Sequence, residues 1–391
     1  QPFHDGHYAL FEEIIKKTEQ VCIQIRDVQG VDDNPFDFET VKKNIEEKLN
    51  LKYEGRFKII LVPNITNICY GRGVGYKIEE IVMPDEIQKI SATKIRAKMR
   101  EDGKLKWNSM NDRLITIVDL ERYPIQDLNS PKIKEIINKC KTDLDQFSCS
   151  TIPKFILPKS LEIMNSELEK QINEVYMSKE SINAYLYAKD DPALPEDHPK
   201  RMFMNRYNGY LNSDCFPKES EMKFLYETEE LLKFVSACLG VSPIYRWADP
   251  LACHAYNVMK TDGILPWHFD SCEFTLSLMI QKPEKGGIFE YCPNIREPGN
   301  ENFEEVKKVI IGDRTRVRQL KLEPGDLQIF KGRFTLHRVT KVEGNLSRYM
   351  CIPAYVLDPW RVNTPEHSKA IYGKVLPIHI ERNKVRADGL A

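Results

Sequence analysis

The chain lacks the features that mark several large classes of protein. It contains no run of about 18 apolar residues, so no membrane-spanning segment is predicted. Its formal net charge is −1, and charged residues are mixed along the chain, so no basic face for nucleic acid is predicted. No internal repeat or low-complexity tract interrupts its 391 residues, a length that corresponds to about two domains. These absences indicate a soluble, intracellular protein.

The cysteines also argue against a framework held by disulfides or zinc. The chain has 10 cysteines, scattered without a CxxC pair, and several lie in apolar runs, as buried free thiols do. A zinc ribbon requires closely spaced pairs of ligands, which are missing here. We therefore expect reduced thiols and a cytoplasmic location. The cysteines are Cys22, Cys69, Cys140, Cys149, Cys215, Cys238, Cys253, Cys272, Cys292 and Cys351.

The most informative stretch is the tetrapeptide WHFD at 267–270, followed later by His337 and Arg348. Side chains alternate faces along a strand, so His268 and Asp270 are predicted to point the same way. Two histidines and one carboxylate form the face that holds non-haem Fe(II) and leaves coordination positions open. Arg348, eleven residues after His337, adds a cation suited to a bidentate carboxylate. The pattern predicts an iron centre with a carboxylate co-substrate, and therefore oxidation by molecular oxygen.

The strand pattern around these residues supports the same interpretation. Residues 327–341 are predicted as a strand, residues 342–345 as a turn, and Arg348–Val356 as the next strand. Arg348 is therefore expected on a strand antiparallel to that of His337, near enough to hold a ligand that chelates the iron. A single HxD arises easily by chance, because surface His and Asp are common. The ordered conjunction with strands, His337 and Arg348 favours the metal site.

Two segments then carry a resemblance to a known family: WHFDSCEFTLSLMIQKPEKGGIFEYCPNIRE at 267–297 and LEPGDLQIFKGRFTLHRVTKVEGNLSRY at 322–349. With them, the C-terminal two-thirds of the chain resembles the Fe(II)/2-oxoglutarate-dependent oxygenases, in the branch of the free amino-acid halogenases and their hydroxylase relatives. The resemblance implies an α+β domain whose core is a double-stranded β-helix, a jelly-roll or cupin-like fold, with bracing helices. It also implies Fe(II), 2-oxoglutarate and O2 as cofactors, with iron on His268, Asp270 and His337 and 2-oxoglutarate on Arg348.

One residue of the motif separates two chemistries within that branch. Halogenases of this group lack the carboxylate ligand, which frees a coordination site for chloride. The chain has Asp270 at that position, so the resemblance implies hydroxylation of a small molecule, such as an amino acid or a nucleotide-activated metabolite, and not halogenation. An alternative from another class is a barrel that binds metal and a small carboxylate without catalysis.

The first hundred residues carry a different pattern. The motif HDGH at 4–7 stands at the start of a predicted helix, where imidazoles and backbone N–H groups together form an anion-binding arrangement. The motif ISATKIR at 90–96 opens a further helix. Between them, strands alternate with a helix, which predicts an α/β layer with a parallel sheet. The predicted elements are strands at 20–26, 57–63 and 77–83 and a helix at 38–49.

Together, HxGH and ISxTxxR on an α/β pattern resemble the nucleotidyltransferase superfamily of cytidylyl- and adenylyltransferases, which has a Rossmann-like fold. The resemblance implies joining of a nucleoside triphosphate to a phosphate- or phosphonate-bearing small molecule, commonly with Mg²⁺. His4 and His7 would stabilise the α-phosphate, while Thr93 and Arg96 would hold the outgoing phosphates. The segment YGRGVGY at 70–76 resembles the nucleotide-contacting loop of the family.

The domain organisation follows from the two resemblances. We expect a nucleotidyltransferase-like domain at 1–110 and an oxygenase domain at 111–391, with the barrel core at about 240–358. Nucleotidyltransferases begin with a strand and a turn before the first motif, and nothing precedes Gln1, so the N-terminal domain is expected to lack its first strand. Alternatives are a vestigial N-terminal domain, or a nucleotidyltransferase as the main activity with an accessory barrel. The predicted partner is a small-molecule substrate, without nucleic acid or membrane, and the oligomeric state stays open.

Three further expectations concern the second domain. Residues 114–120 are predicted to start a strand. Residues 219–239 are predicted as one long helix, ended by Gly240, that braces the outer face of the barrel. The tail after Pro359 either closes over the pocket or a partner subunit, or is solvated.

Overall fold

The computed structural model describes residues 3–27, 36–63, 79, 81–88, 90, 95, 98–99, 102, 110–383 and 390. The chain divides into two compact units, Gln1–Thr116 and Ile117–Ala391. In the described part of the chain, no helix is long and apolar enough to cross a membrane.

The first unit contains a parallel pair of strands joined by a helix. Its described elements are α1 (Asp5–Thr18), β1 (Val21–Arg26), α2 (Phe38–Tyr53), β2 (Phe57–Val62) and α3 (Asp85–Gln88). β1 and β2 pair in parallel along their whole length. α2 makes the crossover between them and starts at Asp37, whose carboxylate accepts a hydrogen bond from the backbone N–H of Thr40. Ile15, Ile23 and Ile45 belong to the apolar core of this unit.

Part of the α/β prediction is corrected by these elements. The strand expected at 77–83 is missing from the described residues of that range, because residues 79 and 81–83 have no regular secondary structure. The segment 70–76, Thr93 and Arg96 lie outside the described residues. A nucleotidyltransferase fold for residues 1–110 therefore stays a prediction. The described residues show one part of it, the parallel β1–α2–β2 unit.

The described part of the second unit contains two main antiparallel sheets, a further two-stranded antiparallel pair, and helices that brace them. The helices from the boundary onward are α4 (Met110–Ile117), α5 (Pro131–Phe147), α6 (Pro158–Lys170), α7 (Glu221–Glu227), α8 (Glu229–Leu239), α9 (Phe303–Ile310), α10 (Pro365–Tyr372) and α11 (Pro377–Glu381). The strands are β3 (Cys149–Ile152), β4 (Tyr176–Ile182), β5 (Met204–Leu211), β6 (Tyr245–Arg246), β7 (His254–Met259), β8 (Leu265–His268), β9 (Phe274–Gln281), β10 (Lys285–Gly286), β11 (Phe289–Cys292), β12 (Arg318–Leu320), β13 (Leu327–Phe330), β14 (Leu336–Val339), β15 (Val342–Glu343) and β16 (Arg348–Val356).

The strand order of these sheets defines a double-stranded β-helix. The larger sheet runs β3-β13-β9-β16-β7-β5-β4, and the smaller one runs β12-β11-β14-β8. Along the chain, the strands β7, β8, β9, β11, β13, β14 and β16 alternate between the two sheets, while β12 pairs with β11 and β10 pairs with β15. The double-stranded β-helix predicted for this part of the chain is confirmed.

Two predicted elements of the second unit are wrong in type or extent. Residues 114–117 belong to the helix α4, and Leu114, Ile117 and Val118 are buried at the i, i+3, i+4 spacing of a helix face. The long helix expected at 219–239 is two helices that meet at Thr228. Thr228 has an extended backbone, and its hydroxyl accepts a hydrogen bond from the backbone N–H of Leu231, so it caps α8.

Candidate metal centre

Two neighbouring strands of the smaller sheet bring the predicted metal ligands together. His268 is the last residue of β8, and His337 on β14 lies directly opposite it in the antiparallel register. Asp270 follows shortly after β8, and its Oδ1 lies 3.7 Å from Nε2 of His268 and 3.3 Å from Nε2 of His337. One ligand atom from each of the three residues lies within 4.8 Å of the others. A single ion can therefore contact all three.

Backbone carbonyls orient both imidazoles. Nδ1 of His268 lies 2.8 Å from the carbonyl oxygen of Pro266, and Nδ1 of His337 lies 2.8 Å from that of Thr335. Because a carbonyl only accepts, each Nδ1 donates its proton, and each Nε2 keeps a lone pair for a metal. Burial lowers the pKa of His268 to about 3, and the neighbouring His337 acts in the same direction. The His268 ring is therefore neutral at physiological pH, as a metal ligand must be.

The carboxylate of Asp270 is held through its other oxygen. The hydroxyl of Thr275 donates to Oδ2 at 2.7 Å, which leaves Oδ1 facing the two imidazoles. Burial alone would raise the pKa of Asp270, but the neighbouring His337 and His268 and the hydroxyl of Thr275 lower it. The donor set is thus two imidazole nitrogens and an ionised carboxylate, which suits Fe(II).

Gly332 is needed next to this carboxylate because no side chain fits there. It begins the short 3₁₀ turn Gly332–Phe334 that precedes β14. Its carbonyl oxygen accepts a hydrogen bond from the backbone N–H of Asp270 at 3.2 Å. A Cβ at position 332 would collide with Oδ2 and Cγ of Asp270. The space that a side chain would fill is taken by the carboxylate itself.

We therefore expect Gly332→Ala to weaken Fe(II) binding by at least about 10-fold, since displaced supporting contacts typically cost 10–100-fold in metal affinity. Anaerobic Fe(II) titration measures the loss directly. A matched control is Gly299→Ala, where an added Cβ meets nothing within 4 Å and only a φ of +77° is strained. Unchanged iron affinity in Gly332→Ala would show that the carboxylate does not need its present position.

Arg348 lies at the start of β16 and is 3% exposed. Side chains alternate along a strand, so Arg348 shares a face with Ile352, which lines the same cavity as His268 and Asp270. Arg348 itself lines another cavity, of about 280 Å³. Its Nε has no hydrogen-bond partner among the described residues. Burial lowers its pKa to about 10, so the side chain stays a cation whose buried charge an anionic ligand would neutralise.

A second buried arginine, Arg206 on β5, was not predicted from the sequence. It is 1% exposed and lines a cavity of about 70 Å³ together with His268 and Asp270. Its Nε donates to Oδ1 of Asn208, while neither terminal nitrogen has a hydrogen-bond partner among the described residues. The polar residues Arg206, Asn208 and Tyr210 at alternate positions were the available signal, because they mark one face of β5 as a lining surface.

The C-terminal tail forms one wall of the same cavity. Its helix α10 contributes His367 and Tyr372 to the lining. Nε2 of His367 lies 3.3 Å from Oγ of Ser271, and burial lowers the pKa of His367 to about 4, with Arg206 acting in the same direction. The described residues of the tail therefore close over the pocket, which is one of the arrangements that the sequence left open.

In the first unit, the two predicted histidines stand together at the start of α1. The rings of His4 and His7 stack with their centroids 3.9 Å apart. Nδ1 of His4 accepts a hydrogen bond of 3.1 Å from the backbone N–H of Gly6, so His4 caps the helix. Burial lowers the pKa of His7 to about 4, and the charge of His4 adds to the effect. Thr93 and Arg96, the other predicted residues of this site, lie outside the described residues.

Residues 206–364 match the family model of halogenase D. The matched span contains the three grouped residues, Arg206 and Arg348, so the match supports an oxygenase in the C-terminal unit. A search of curated proteins found no match to the chain.

Solved structures give a looser likeness. An oxidoreductase of the 2OG-Fe(II) oxygenase family from Burkholderia pseudomallei is 12% identical, with a TM-score of 0.38 over 57% of this chain and 92% of that one. AviO1 from Streptomyces viridochromogenes Tue57 is 14% identical, with a TM-score of 0.41 over 58% and 97%. HygX from Streptomyces hygroscopicus, solved with nickel, 2-oxoglutarate and hygromycin B, is 14% identical, with a TM-score of 0.37 over 57% and 89%.

Proposed function

We propose that the C-terminal unit is an Fe(II)- and 2-oxoglutarate-dependent oxygenase that hydroxylates a small molecule. The observation that carries the proposal is the convergence of two imidazole Nε2 atoms and one carboxylate oxygen within 4.8 Å of one another. This donor set is the one that non-haem Fe(II) oxygenases use, because it leaves positions open for co-substrate and oxygen. Arg348 adds support, since it is a buried cation on the strand expected to anchor a carboxylate.

Each group of residues has a separate task in this proposal. Iron and 2-oxoglutarate, when bound, supply the oxidising chemistry, with O2 consumed and succinate and CO2 released. His268, Asp270 and His337 hold the metal, and the carbonyls behind the imidazoles keep their Nε2 atoms directed at it. Arg348 binds the distal carboxylate of 2-oxoglutarate. The wall from α10 shields the reacting group from bulk water.

Asp270 favours hydroxylation over halogenation. The matched family is named for halogenases, and the halogenases of the branch that this chain resembles lack the carboxylate ligand. Here Oδ1 of Asp270 faces both imidazoles at 3.3 and 3.7 Å and occupies the ligand position that chloride would need. The product should therefore gain oxygen and not chlorine.

The test is product analysis of the aerobic reaction. With Fe(II), 2-oxoglutarate and a substrate, we expect oxygen-dependent succinate release and a product heavier by one oxygen atom, even in abundant chloride. His268→Ala is the inactive control. A chlorine isotope pattern in the wild-type product would contradict hydroxylation. Absence of succinate release with every substrate offered would instead favour the alternative of a non-catalytic module.

For the first unit we propose a nucleotidyltransferase activity. Two observations favour it: the stacked His4 and His7 at the N-terminus of α1, where backbone N–H groups also point, and the parallel β1–α2–β2 crossover. Neutral imidazoles and N–H groups can donate hydrogen bonds to phosphate oxygens, so catalysis would consist of positioning and charge stabilisation.

Pyrophosphate release tests this second activity. The protein is mixed with Mg²⁺, CTP or ATP and a small phosphonate acceptor, and pyrophosphate is measured with and without the acceptor. We expect acceptor-dependent release of pyrophosphate in the wild type. In His7→Ala the rate of release should fall by about 100-fold, because removal of one hydrogen-bond donor to the transition state costs about 100- to 1,000-fold in rate. Equal release by both proteins would place the activity elsewhere, and no release would support a vestigial domain.

A further inference from the structure

The small cavity beside the metal ligands adjoins a much larger one. The small cavity measures about 70 Å³, and the larger, which we call the outer chamber, measures about 760 Å³. Asp270, Ser271 and His367 line both cavities. Ligand pockets of about 300–1,000 Å³ hold molecules of drug size. A substrate whose reacting group lies beside the metal ligands therefore has room for a bulky second part in the outer chamber.

The described lining of the outer chamber includes two carboxylates, Asp270 and Glu301, and both are engaged. Asp270 faces the two imidazoles of the metal centre. Oε2 of Glu301 accepts a hydrogen bond of 2.6 Å from Nη1 of Arg296, whose side chain is fully buried. A buried guanidinium needs such an acid, because breaking a buried ion pair is strongly destabilising. Glu301 therefore neutralises Arg296 and does not offset other cations of the chamber.

The cations of the outer chamber are Lys200, Arg333 and Arg361, among the residues that the structure describes. The ammonium of Lys200 lies over the rings of Tyr185 and Phe303, 5.5 and 5.7 Å from their centroids, and makes no hydrogen bond or ion pair within the described part of the chain. Aromatic rings attract a cation but do not neutralise its charge. A guanidinium has five N–H donors, so each arginine can bind a ligand besides its protein partners. The lining therefore suits an anionic ligand.

One buried amide holds the wall that carries Lys200. Oδ1 of Asn183 accepts hydrogen bonds from the backbone N–H groups of Tyr185 and Tyr187 at 2.9 and 3.1 Å. Nδ2 of Asn183 donates to the carbonyl oxygen of Lys200 at 2.7 Å. Because the amide of Asn183 is buried, water does not compete for these bonds. The two tyrosines and the lysine are thus fixed in one wall of the outer chamber.

The two tyrosines of this wall offer different contacts. Tyr187 is 53% exposed, so much of its ring is accessible to a planar group, and nucleobases stack on such rings. The hydroxyl of Tyr185 is buried and has no hydrogen-bond partner among the described residues. Burial raises the pKa of Tyr185, so the hydroxyl keeps its proton and can donate it to a phosphate oxygen. A ring, a neutral donor and a cation are the contacts that bind a nucleotide.

We propose that the substrate is a nucleotide conjugate, with its phosphate at Lys200 and Tyr185, its base on Tyr187, and its organic group in the small cavity beside the metal ligands. The inference rests on the proposed oxygenase function and names its substrate class.

The chemistry of such a substrate gives the oxygenase a place in a reaction sequence. Nucleotidyl transfer must supply it: an oxygen of a phosphonate acceptor attacks the α-phosphorus of a nucleoside triphosphate, and pyrophosphate leaves. That is the class of reaction proposed for the first unit. In the oxygenase reaction, one C–H bond of the organic group becomes C–OH. One atom of O2 enters this hydroxyl group, and the other enters succinate as 2-oxoglutarate loses CO2.

A ligand panel tests the substrate class. CMP, AMP, cytidine, adenosine and inorganic phosphate are titrated calorimetrically, without oxygen, into His7→Ala protein that holds Fe(II) and 2-oxoglutarate. The His7→Ala change impairs the nucleotide site proposed for the first unit. We expect CMP or AMP to bind, and the matching nucleoside and inorganic phosphate to bind roughly 10-fold more weakly or worse, because each lacks one of the two contacts. No binding by either nucleotide, or equally tight binding of a nucleoside or of phosphate alone, would overturn the inference.

A substitution of Lys200 tests whether the phosphate lies in the outer chamber. Lys200→Gln should weaken the nucleotide roughly 10-fold or more and leave the nucleoside unchanged. The matched control is Lys179→Gln, because the ammonium of Lys179 also lies over a tyrosine ring, 5.9 Å from the centroid of Tyr207, but does not line the chamber. It should leave both ligands unchanged. Equal effects of the two substitutions would overturn the assignment to Lys200.

Two substitutions of Tyr187 test the position of the base. Tyr187→Ala should weaken the nucleotide and the nucleoside alike, by roughly 10-fold, while Tyr187→Phe should keep both, because stacking needs the ring and not the hydroxyl. Thermal unfolding and anaerobic Fe(II) titration confirm that each variant is folded. Unchanged binding in Tyr187→Ala would contradict the proposed placement of the base.

Succinate release separates this inference from the oxygenase function on which it rests. The probes are the CMP and AMP esters of propylphosphonate, whose propyl group is short enough for the small cavity. Succinate release that depends on oxygen and is stimulated by either ester supports both proposals. If a free amino acid stimulates release and neither ester does, the oxygenase stands and the substrate class is wrong. If the nucleotides bind with the expected dependence on Lys200 and no compound gives succinate, the nucleotide site stands and the oxygenase is wrong.

Discussion

Replacing His337 by alanine is expected to abolish iron binding and 2-oxoglutarate turnover. The variant keeps only His268 and Asp270 as ligands, and it also removes the imidazole that lies 3.3 Å from Oδ1 of Asp270. Altering a group that merely supports a ligand already costs 10–100-fold in metal affinity, so we expect removal of the ligand itself to cost more than about 100-fold. Anaerobic Fe(II) titration and aerobic succinate release measure the two losses.

The matched control is His254→Ala. His254 is also a buried histidine, 3% exposed, but its ring packs among the aromatic side chains of Phe216 and Tyr226. Its loss should lower the unfolding temperature through the cavity that it leaves, while iron binding stays intact. Free imidazole added to His337→Ala should restore part of the iron affinity, because it can occupy the space of the missing ring. Wild-type turnover in His337→Ala without added imidazole would refute the ligand assignment.

The grouping of the candidate metal ligands was predicted from an HxD motif, a later strand with His337 and the family resemblance. The HxD spacing puts His268 and Asp270 close together in the chain, although β8 ends at His268 and Asp270 follows the strand. The pairing of β14 with β8 brings His337 opposite His268. Arg348 was predictable for a similar reason, since a turn and a strand after His337 bring it back beside the barrel interior. Periodicity and turn signals predicted the strands, and the family resemblance supplied the expectation that they converge.

Arg206 and Gly332 were not predictable in this way. Arg206 reaches the metal ligands only because β5 lies next to β7 at one side of the larger sheet, a pairing between strands distant in sequence. Gly332 matters because its backbone approaches the carboxylate of Asp270, and close approach of two segments leaves no periodic trace in a sequence. Both features depend on tertiary pairing.

The wrong secondary-structure predictions have local causes. The run at 114–118 is apolar at nearly every position, so its period cannot separate a strand from a buried helix. The helix α4 is decided by packing, since Leu114, Ile117 and Val118 are all buried. The helical pattern of residues 219–239 continues through Thr228, so the break there was not predicted. Thr228 has an extended backbone that ends α7, and its hydroxyl caps the start of α8.

Replacing Arg348 by alanine is expected to weaken 2-oxoglutarate by roughly one and a half to three and a half orders of magnitude. The arginine is 3% exposed, so its bond to a carboxylate forms away from water. Losing one partner of such a buried charge pair costs about 2–5 kcal/mol, and ~1.4 kcal/mol corresponds to a factor of ten. Fe(II) affinity without co-substrate should stay nearly unchanged, because Arg348 is not a metal ligand. Arg348→Lys should restore only part of the affinity, since it keeps the charge and loses the paired donors.

Titration of 2-oxoglutarate into the Fe(II) protein without oxygen, followed by charge-transfer absorption, measures this effect directly. Arg338→Ala is the matched control, because the Nε of Arg338 donates to Glu290 at 2.7 Å and does not line either cavity beside the barrel strands. It should therefore leave 2-oxoglutarate affinity unchanged. If Arg348→Ala binds 2-oxoglutarate like the wild type, Arg206 is the next candidate for the anchor. Arg206 is buried, its terminal nitrogens have no hydrogen-bond partner among the described residues, and it lines a cavity with His268 and Asp270. In that case Arg206→Gln should weaken 2-oxoglutarate binding, and the same titration measures that loss.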